Sequence, residues 1–213
     1  MFATSPRILP LVLAFATSPL LAAPAASEVL WSQTGHDAGV QVISQNFEAS
    51  FDLYDNQGAD DFVVPPGEVW LVRQVEVMGT YGEGTGPARS ENVFFYGDAG
   101  GLPGAPLAAH MEVAGQGDWE GHFLITLPEP LKLREGAYWL SVQINMDFAL
   151  GGQWGWWTKR DRKGFRAAWM NPQGGFGVGC KHYRIMLRCI GHLGEGPDFS
   201  FVLYGERKLR RQR

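Results

Sequence analysis

Short apolar runs alternate with glycine- and proline-bearing breaks along nearly the whole chain, and no stretch after the first 25 residues carries a helical repeat of apolar positions. Val69-Trp70-Leu71-Val72-Arg73-Gln74-Val75-Glu76-Val77 is rich in β-branched residues, partly alternating, and preceded by the turn signal Pro65-Pro66-Gly67. Asn92-Val93-Phe94-Phe95-Tyr96 ends at Gly97-Asp98, and Gly121-His122-Phe123-Leu124-Ile125-Thr126-Leu127 stops at Pro128. In Tyr138-Trp139-Leu140-Ser141-Val142-Gln143-Ile144, strand alternation puts Tyr138, Leu140, Val142 and Ile144 on one face and Trp139, Ser141 and Gln143 on the other. Phe199-Ser200-Phe201-Val202-Leu203-Tyr204 is a further strand; Glu28-Val29-Leu30-Trp31 and Ala59-Asp60-Asp61-Phe62-Val63-Val64 are shorter ones. A strand that is apolar on one face must bury that face, and with no amphipathic helix available the cover is a second sheet. The expected fold is therefore all-β: an antiparallel β-sandwich, jelly-roll or immunoglobulin-like, of roughly eight to ten strands.

The first 25 residues read as a signal peptide. Arg7 supplies the positive charge, residues 8–21 the apolar stretch, and Ala23-Pro24-Ala25 a small-x-small cleavage site. The stretch is too short and too interrupted by proline to span a bilayer as a helix. The expected organisation is a leader at 1–25, a sandwich at 26–205 and a basic tail at 206–213, with a secreted or periplasmic location. In an oxidising compartment Cys180 and Cys189, the only two cysteines, should pair and close a short loop.

Charge is unevenly distributed. Residues 26–157 carry 18 acidic and 4 basic side chains, whereas residues 158–190 carry 8 basic and 1 acidic. Either the basic segment lies against the acidic body, or it forms a cationic face for an anionic surface polymer such as an acidic polysaccharide or lipopolysaccharide. Nucleic acid is not an expected partner, because the domain is acidic overall and lacks the signatures of a nucleic-acid-binding module.

Several segments in order, Ser44-Gln45-Asn46-Phe47-Glu48-Ala49, Ala59-Asp60-Asp61-Phe62, Phe95-Tyr96-Gly97-Asp98-Ala99-Gly100-Gly101-Leu102-Pro103-Gly104, Gly136-Ala137-Tyr138-Trp139-Leu140-Ser141-Val142-Gln143 and Gly151-Gly152-Gln153-Trp154-Gly155-Trp156, resemble a family of secreted bacterial β-sandwich domains that has no established activity. The resemblance implies the fold class and export. It brings no ligand and no catalytic residue. The chain departs from that pattern in its basic run, Lys159-Arg160-Asp161-Arg162-Lys163, and in its basic tail.

Three constellations are candidates for chemistry. The glycine-rich stretch at 151–179 reads as a short strand and a long loop, and it gathers Trp154, Trp156, Trp157, Trp169 and Phe176. Sugar C–H faces stack on such rings, and Gln153, Asn171 and Gln173 supply polar contacts. Alternation puts Trp154 and Trp156 on one face and Trp157 on the other, so part of the set belongs to the core. Second, Asp55, Asp60 and Asp61 lie in a segment dense in oxygen donors, which suits structural calcium, or else turns and strand ends; no other cofactor is implied. Third, catalysis has little support. His36, His110, His122, His182 and His192 fall in separate segments, with no G-x-S-x-G elbow and no H-E-x-x-H pair. A carboxylate pair for glycoside cleavage would have to be assembled from Asp118, Glu120 or Asp147. The resulting expectation is a non-catalytic binding module for a glycan or another surface polymer. The alternatives are a structural or protein-interaction module, then a polysaccharide hydrolase or lyase.

Overall fold

The computed structural model describes residues 27–210 apart from 37, 118, 192 and 194–196. The proposed leader, Asp118, His192 and the last three residues of the expected tail lie outside the described residues. Thirteen strands are described: β1 (Glu28–Gln33), β2 (Gln41–Ile43), β3 (Gln45–Asn46), β4 (Gln57–Val77), β5 (Gly79–Gly82), β6 (Ser90–Asp98), β7 (Pro103–Val113), β8 (Phe123–Asn145), β9 (Gln153–Lys159), β10 (Ala168–Met170), β11 (Arg184–Ile185), β12 (Asp198–Phe199) and β13 (Phe201–Leu209). Helix is limited to a 3-10 turn at Ala49–Tyr54 and two single turns, α1 (Phe148–Gly151) and α2 (Met186–Cys189). The larger sheet runs β1-β13-β4-β8-β6-β7, with β10, β11 and β3 at its margins; the smaller runs β12-β9-β2, with β5 on β9. All pairings are antiparallel except β3 with β8. The all-β architecture of two sheets holds, and Cys180 and Cys189 are joined in a disulfide.

The spine of the larger sheet is the β4–β8 ribbon. The sequence suggested that Pro65-Pro66-Gly67 and Pro128 end strands; instead both strands run through them. Pairing breaks between Val64 and Val69, where the proline pair sits, and between Val72 and Gln74, opposite Pro128 and Pro130. Proline has no N–H to give a ladder, so it fits where the ladder is already broken. The second break also explains the partial alternation of residues 69–77. Trp70 and Val72 are buried before it and Val75 and Val77 after it, because Arg73 is one extra residue against β13 and flips the side-chain parity.

The two sheets meet over a core in which the rings of β9 reach across to the larger sheet. Trp156 stacks on Phe199 with centroids 4.5 Å apart and meets Phe201 of β13, and Trp154 lies 5.9 Å from Phe123 of β8. As expected, Leu140, Val142 and Ile144 join this core, while Trp139 faces the other way. That outer face is covered as well. Trp139 packs with Ala59 and Ala168 beneath Tyr96, Leu102 and Tyr183. The edge strand β7 exposes Leu107 and Met111, but Pro103, Pro106 and three register breaks against β6 interrupt it as a template for another strand. At the other end β13 runs on to Leu209, so residues 206–209 of the expected tail are strand, paired with residues 68–71 of β4.

Candidate functional site

At one end of the sandwich three separated segments bring aromatic rings together. The 3-10 turn carries Phe51 and Tyr54, α1 carries Phe148, and the loop after β10 carries Phe176. Their rings form an arc: Phe148 to Phe51 at 5.5 Å, Phe51 to Tyr54 at 6.1 Å, Tyr54 to Phe176 at 5.3 Å, and Phe176 to the buried Trp169 at 5.9 Å. With Phe47 and Gln153 these residues line an open recess of about 180 Å³. Beyond Phe176 lies a second hollow, lined by Gln41, Ile43, Trp169, Val178 and Ile190 among others.

Polar side chains behind the recess lock its walls. The Asn171 amide donates to the carbonyl oxygens of Leu53 and Asp55, both at 2.8 Å, and its Oδ1 accepts from the N–H of Phe176 at 3.1 Å. Asn171 therefore clasps the Phe176 loop to the turn. Glu48 accepts the Phe148 N–H at 2.7 Å, tying α1 to the start of the same turn. Desolvation opposes ionisation of Glu48, but three backbone N–H groups outweigh it and hold its carboxyl below the ordinary value. Asp55 accepts the Phe47 N–H at 2.8 Å; burial, helped by the charge of Asp52, raises its carboxyl. The side chain of Gln153 hydrogen-bonds to no other described residue and faces the recess.

The expected tryptophan platform does not form. Trp154 and Trp156 are wholly buried and Trp169 nearly so. Their indole N–H groups are spent on the carbonyls of Gly121 (2.7 Å), Ser200 (2.7 Å) and Ile43 (2.9 Å). The reason is burial: a large apolar ring gains most by leaving water, and strand alternation turns Trp154 and Trp156 toward the other sheet. Trp157, on the opposite face, is half-buried between His36, stacked at 4.6 Å, and His122, edge-on at 4.5 Å. Asn171 is buried and structural. Of the eight residues proposed from sequence, Gln153 and Phe176 line the recess. Phe47, Phe51, Tyr54 and Phe148 were missed, because nothing in their spacing marks them as neighbours of Phe176.

The carboxylates suggested for calcium do not converge. Asp55 serves Phe47, whereas Asp60 and Asp61 belong to a buried group beneath the basic run. No cluster of three or more His, Cys, Asp or Glu side chains suited to a metal occurs among the described residues. Asp60 accepts from Gln33 Nε2 (2.8 Å) and from the N–H groups of Phe199 (2.6 Å) and Asp61 (2.9 Å). Asp61 accepts from the Phe165 N–H at 2.7 Å, and Asp198 from the Lys163 N–H at 2.6 Å. Burial pushes all three carboxyls up, Asp61 to about 6 and Asp198 to about 7, and neighbouring charge adds to it: Asp198 and Asp61 at Asp60, Asp98 at Asp61, and Asp61 at Asp198. At Asp198 the Lys163 N–H and the charges of Lys159 and Arg162 oppose the rise. The basic run therefore lies, in part, against acidic residues of the body. Of the other carboxylates considered, Glu120 is exposed and Asp147 pairs with Arg89 at 3.7 Å. No helix among the described residues is long and apolar enough to cross a membrane.

No protein-family model matches the chain, and no curated protein matches it. Among solved structures it is similar to the cysteine protease and lectin-like domains of Cwp84, a surface layer associated protein of Clostridium difficile, at 10% identity and a TM-score of 0.46. The overlap covers 72% of this chain and 32% of that one, and at this level it assigns neither activity nor ligand.

Proposed function

We propose that this chain is a non-catalytic binding module, secreted or periplasmic, that takes a saccharide unit of a surface polymer into the aromatic recess. The observation that carries the reading is the arc of Phe148, Phe51, Tyr54 and Phe176 around an amide, Gln153, that is free to bond a hydroxyl. Rings supply stacking area for the C–H face of a pyranose, and one amide orients it. The walls are fixed in advance by Asn171 and Glu48, so little ordering cost falls on binding. Export agrees with the disulfide, which persists in oxidising compartments. A protein-interaction module would draw on the β7 edge, whose prolines and register breaks make it a poor strand template.

A glycan array probed with the intact protein, followed by titration of the best ligand into Tyr54→Ala and Phe148→Ala, tests the reading. Each substitution should weaken binding about tenfold while the fold stays intact, since both rings are partly exposed. An array without ligands, or ligands bound equally by both variants, removes the recess as the binding site.

A further inference from the structure

A further hollow lies elsewhere, between the loop at 99–102 and the basic run. It measures about 340 Å³ and is lined by Gly100, Gly101, Arg162, Gly164, Phe165 and Arg166, with Ile185 at its margin. Both walls are held by contacts that do not use the hollow. Asp98 accepts the N–H groups of Gly100 (3.1 Å) and Gly101 (3.0 Å) and the indole N–H of Trp139 (2.9 Å), which fixes the glycine loop to β8. Phe165 stacks on the same Trp139 ring, nearly parallel with centroids 6.2 Å apart, and its N–H is anchored on Asp61. Gly101 closes the floor: a Cβ there would come within 3.0 Å of the Phe165 ring.

The cations of the run are used differently. Lys163 is engaged, its ammonium donating to the Ser32 carbonyl at 2.8 Å and lying 4.5 Å from the Trp31 ring centroid. Arg162 is exposed and makes no hydrogen bond or ion pair with the described residues. Arg162 thus lines the hollow without a hydrogen-bond partner, over an aromatic floor, Phe165, that is 41% exposed. Of the nearby acids, Asp61 is buried under the run, and Asp98 has its oxygens turned to the N–H groups of Gly100, Gly101 and Trp139. A planar fork of donors matches an oxyanion in two-point contact, and an adjacent ring stacks on a sugar face.

We propose that this hollow binds an acidic saccharide, with the carboxylate or sulfate of a pyranose on Arg162 and its ring against Phe165. The site shares no lining residue with the aromatic recess, so either proposal can fail alone.

Calorimetric titration of the intact protein with tetragalacturonate, a heparin-derived tetrasaccharide, neutral cellotetraose and sodium sulfate tests it. At least one acidic oligosaccharide should bind, at least tenfold more tightly than cellotetraose or sulfate, and more weakly as salt rises. Arg162→Ala should lose about tenfold in affinity, within the range for a charge-assisted hydrogen bond. Arg162→Lys should recover little of that, because the charge returns without the fork. Leu107→Ala, on the exposed β7 edge away from both hollows, should leave this affinity unchanged. At pH 5, where Asp198 is protonated, the thermal midpoint of Arg162→Ala should match the parent, since the side chain is exposed and makes no hydrogen bond. Acidic and neutral sugars binding alike, sulfate binding as tightly as the oligosaccharide, or Arg162→Ala binding at parental affinity would each overturn the proposal.

Discussion

The β4–β8 ribbon and the segment from Gly151 to Ile190 are both rich in large apolar side chains, yet they find their places by different rules. In the ribbon each side chain's face follows from strand parity, reset at two proline-bearing bulges. In the later segment, placement follows shape. Trp154 fits because Gly79 has no Cβ, which would otherwise stand 2.3 Å from the indole. Trp156 stacks on Phe199, which in turn lies where a Cβ on Gly58 would intrude at 2.6 Å. Pattern alone thus governs the ribbon, whereas on β9 alternation and complementarity act together, so its neighbouring tryptophans should differ sharply in what they contribute. Trp156→Ala removes a fully buried ring and a hydrogen bond, and should cost about 3–5 kcal/mol. Trp157→Ala removes a half-buried ring between two histidines, and should cost less than half as much. Denaturant unfolding of both variants measures this, and equal losses would break the comparison.

Within the shape-governed segment the disulfide is the one covalent constraint. Cys180 and Cys189 close a loop with a sequence separation of 9 that sets Met186 in the core and packs Leu187 and Tyr183 against the hydrophobic clusters. Loop-closure entropy for so short a ring corresponds to about 2–3 kcal/mol. Replacing both cysteines by serine should lower the unfolding free energy by that amount and raise protease sensitivity near residues 181–188 first. The ribbon should be unaffected until global unfolding, as hydrogen exchange would report. Simultaneous loss of protection in β4 and β8 would show that the segment and the ribbon form one cooperative unit.

The same contrast marks what could be read in advance. Alternation in Tyr138-Trp139-Leu140-Ser141-Val142-Gln143-Ile144 gave both faces correctly, because parity is a local property. It also separated Trp154 and Trp156 from Trp157. What alternation cannot give is which face looks inward, and the platform was placed on rings that the second sheet covers. The recess was not legible because its rings come from turns around residues 51, 148 and 176, which meet only through long-range hydrogen bonds. Asn171 reaches Leu53 across 118 residues of chain, and Glu48 reaches Phe148 across 100. The clustering of charge was visible, but not that Asp60, Asp61 and Asp198 would lie buried beneath the basic run.

Those three carboxyls give the smallest expected effect, and it falls on the boundary between the two regions, where β4 and β12 meet residues 163–165. Burial raises Asp61 to about 6 and Asp198 to about 7, against an ordinary aspartate value of about 3.9 in an unfolded chain. Between those values the folded chain holds protons that the unfolded chain has released. Their stabilising contribution is therefore complete below the ordinary range and is lost as pH rises through about 6 and about 7. Glu48 and Glu206 are shifted downward, so their contributions change only at lower pH. The thermal midpoint should fall by several degrees from pH 5 to pH 8. Asp198→Asn keeps an oxygen to accept the Lys163 N–H and removes one titration, so it should flatten that slope, raising the midpoint more at pH 8 than at pH 5. A midpoint that climbs from pH 5 to pH 8 would mean that the cations of the run keep these carboxylates ionised, and that charge pairing rather than burial governs the seam.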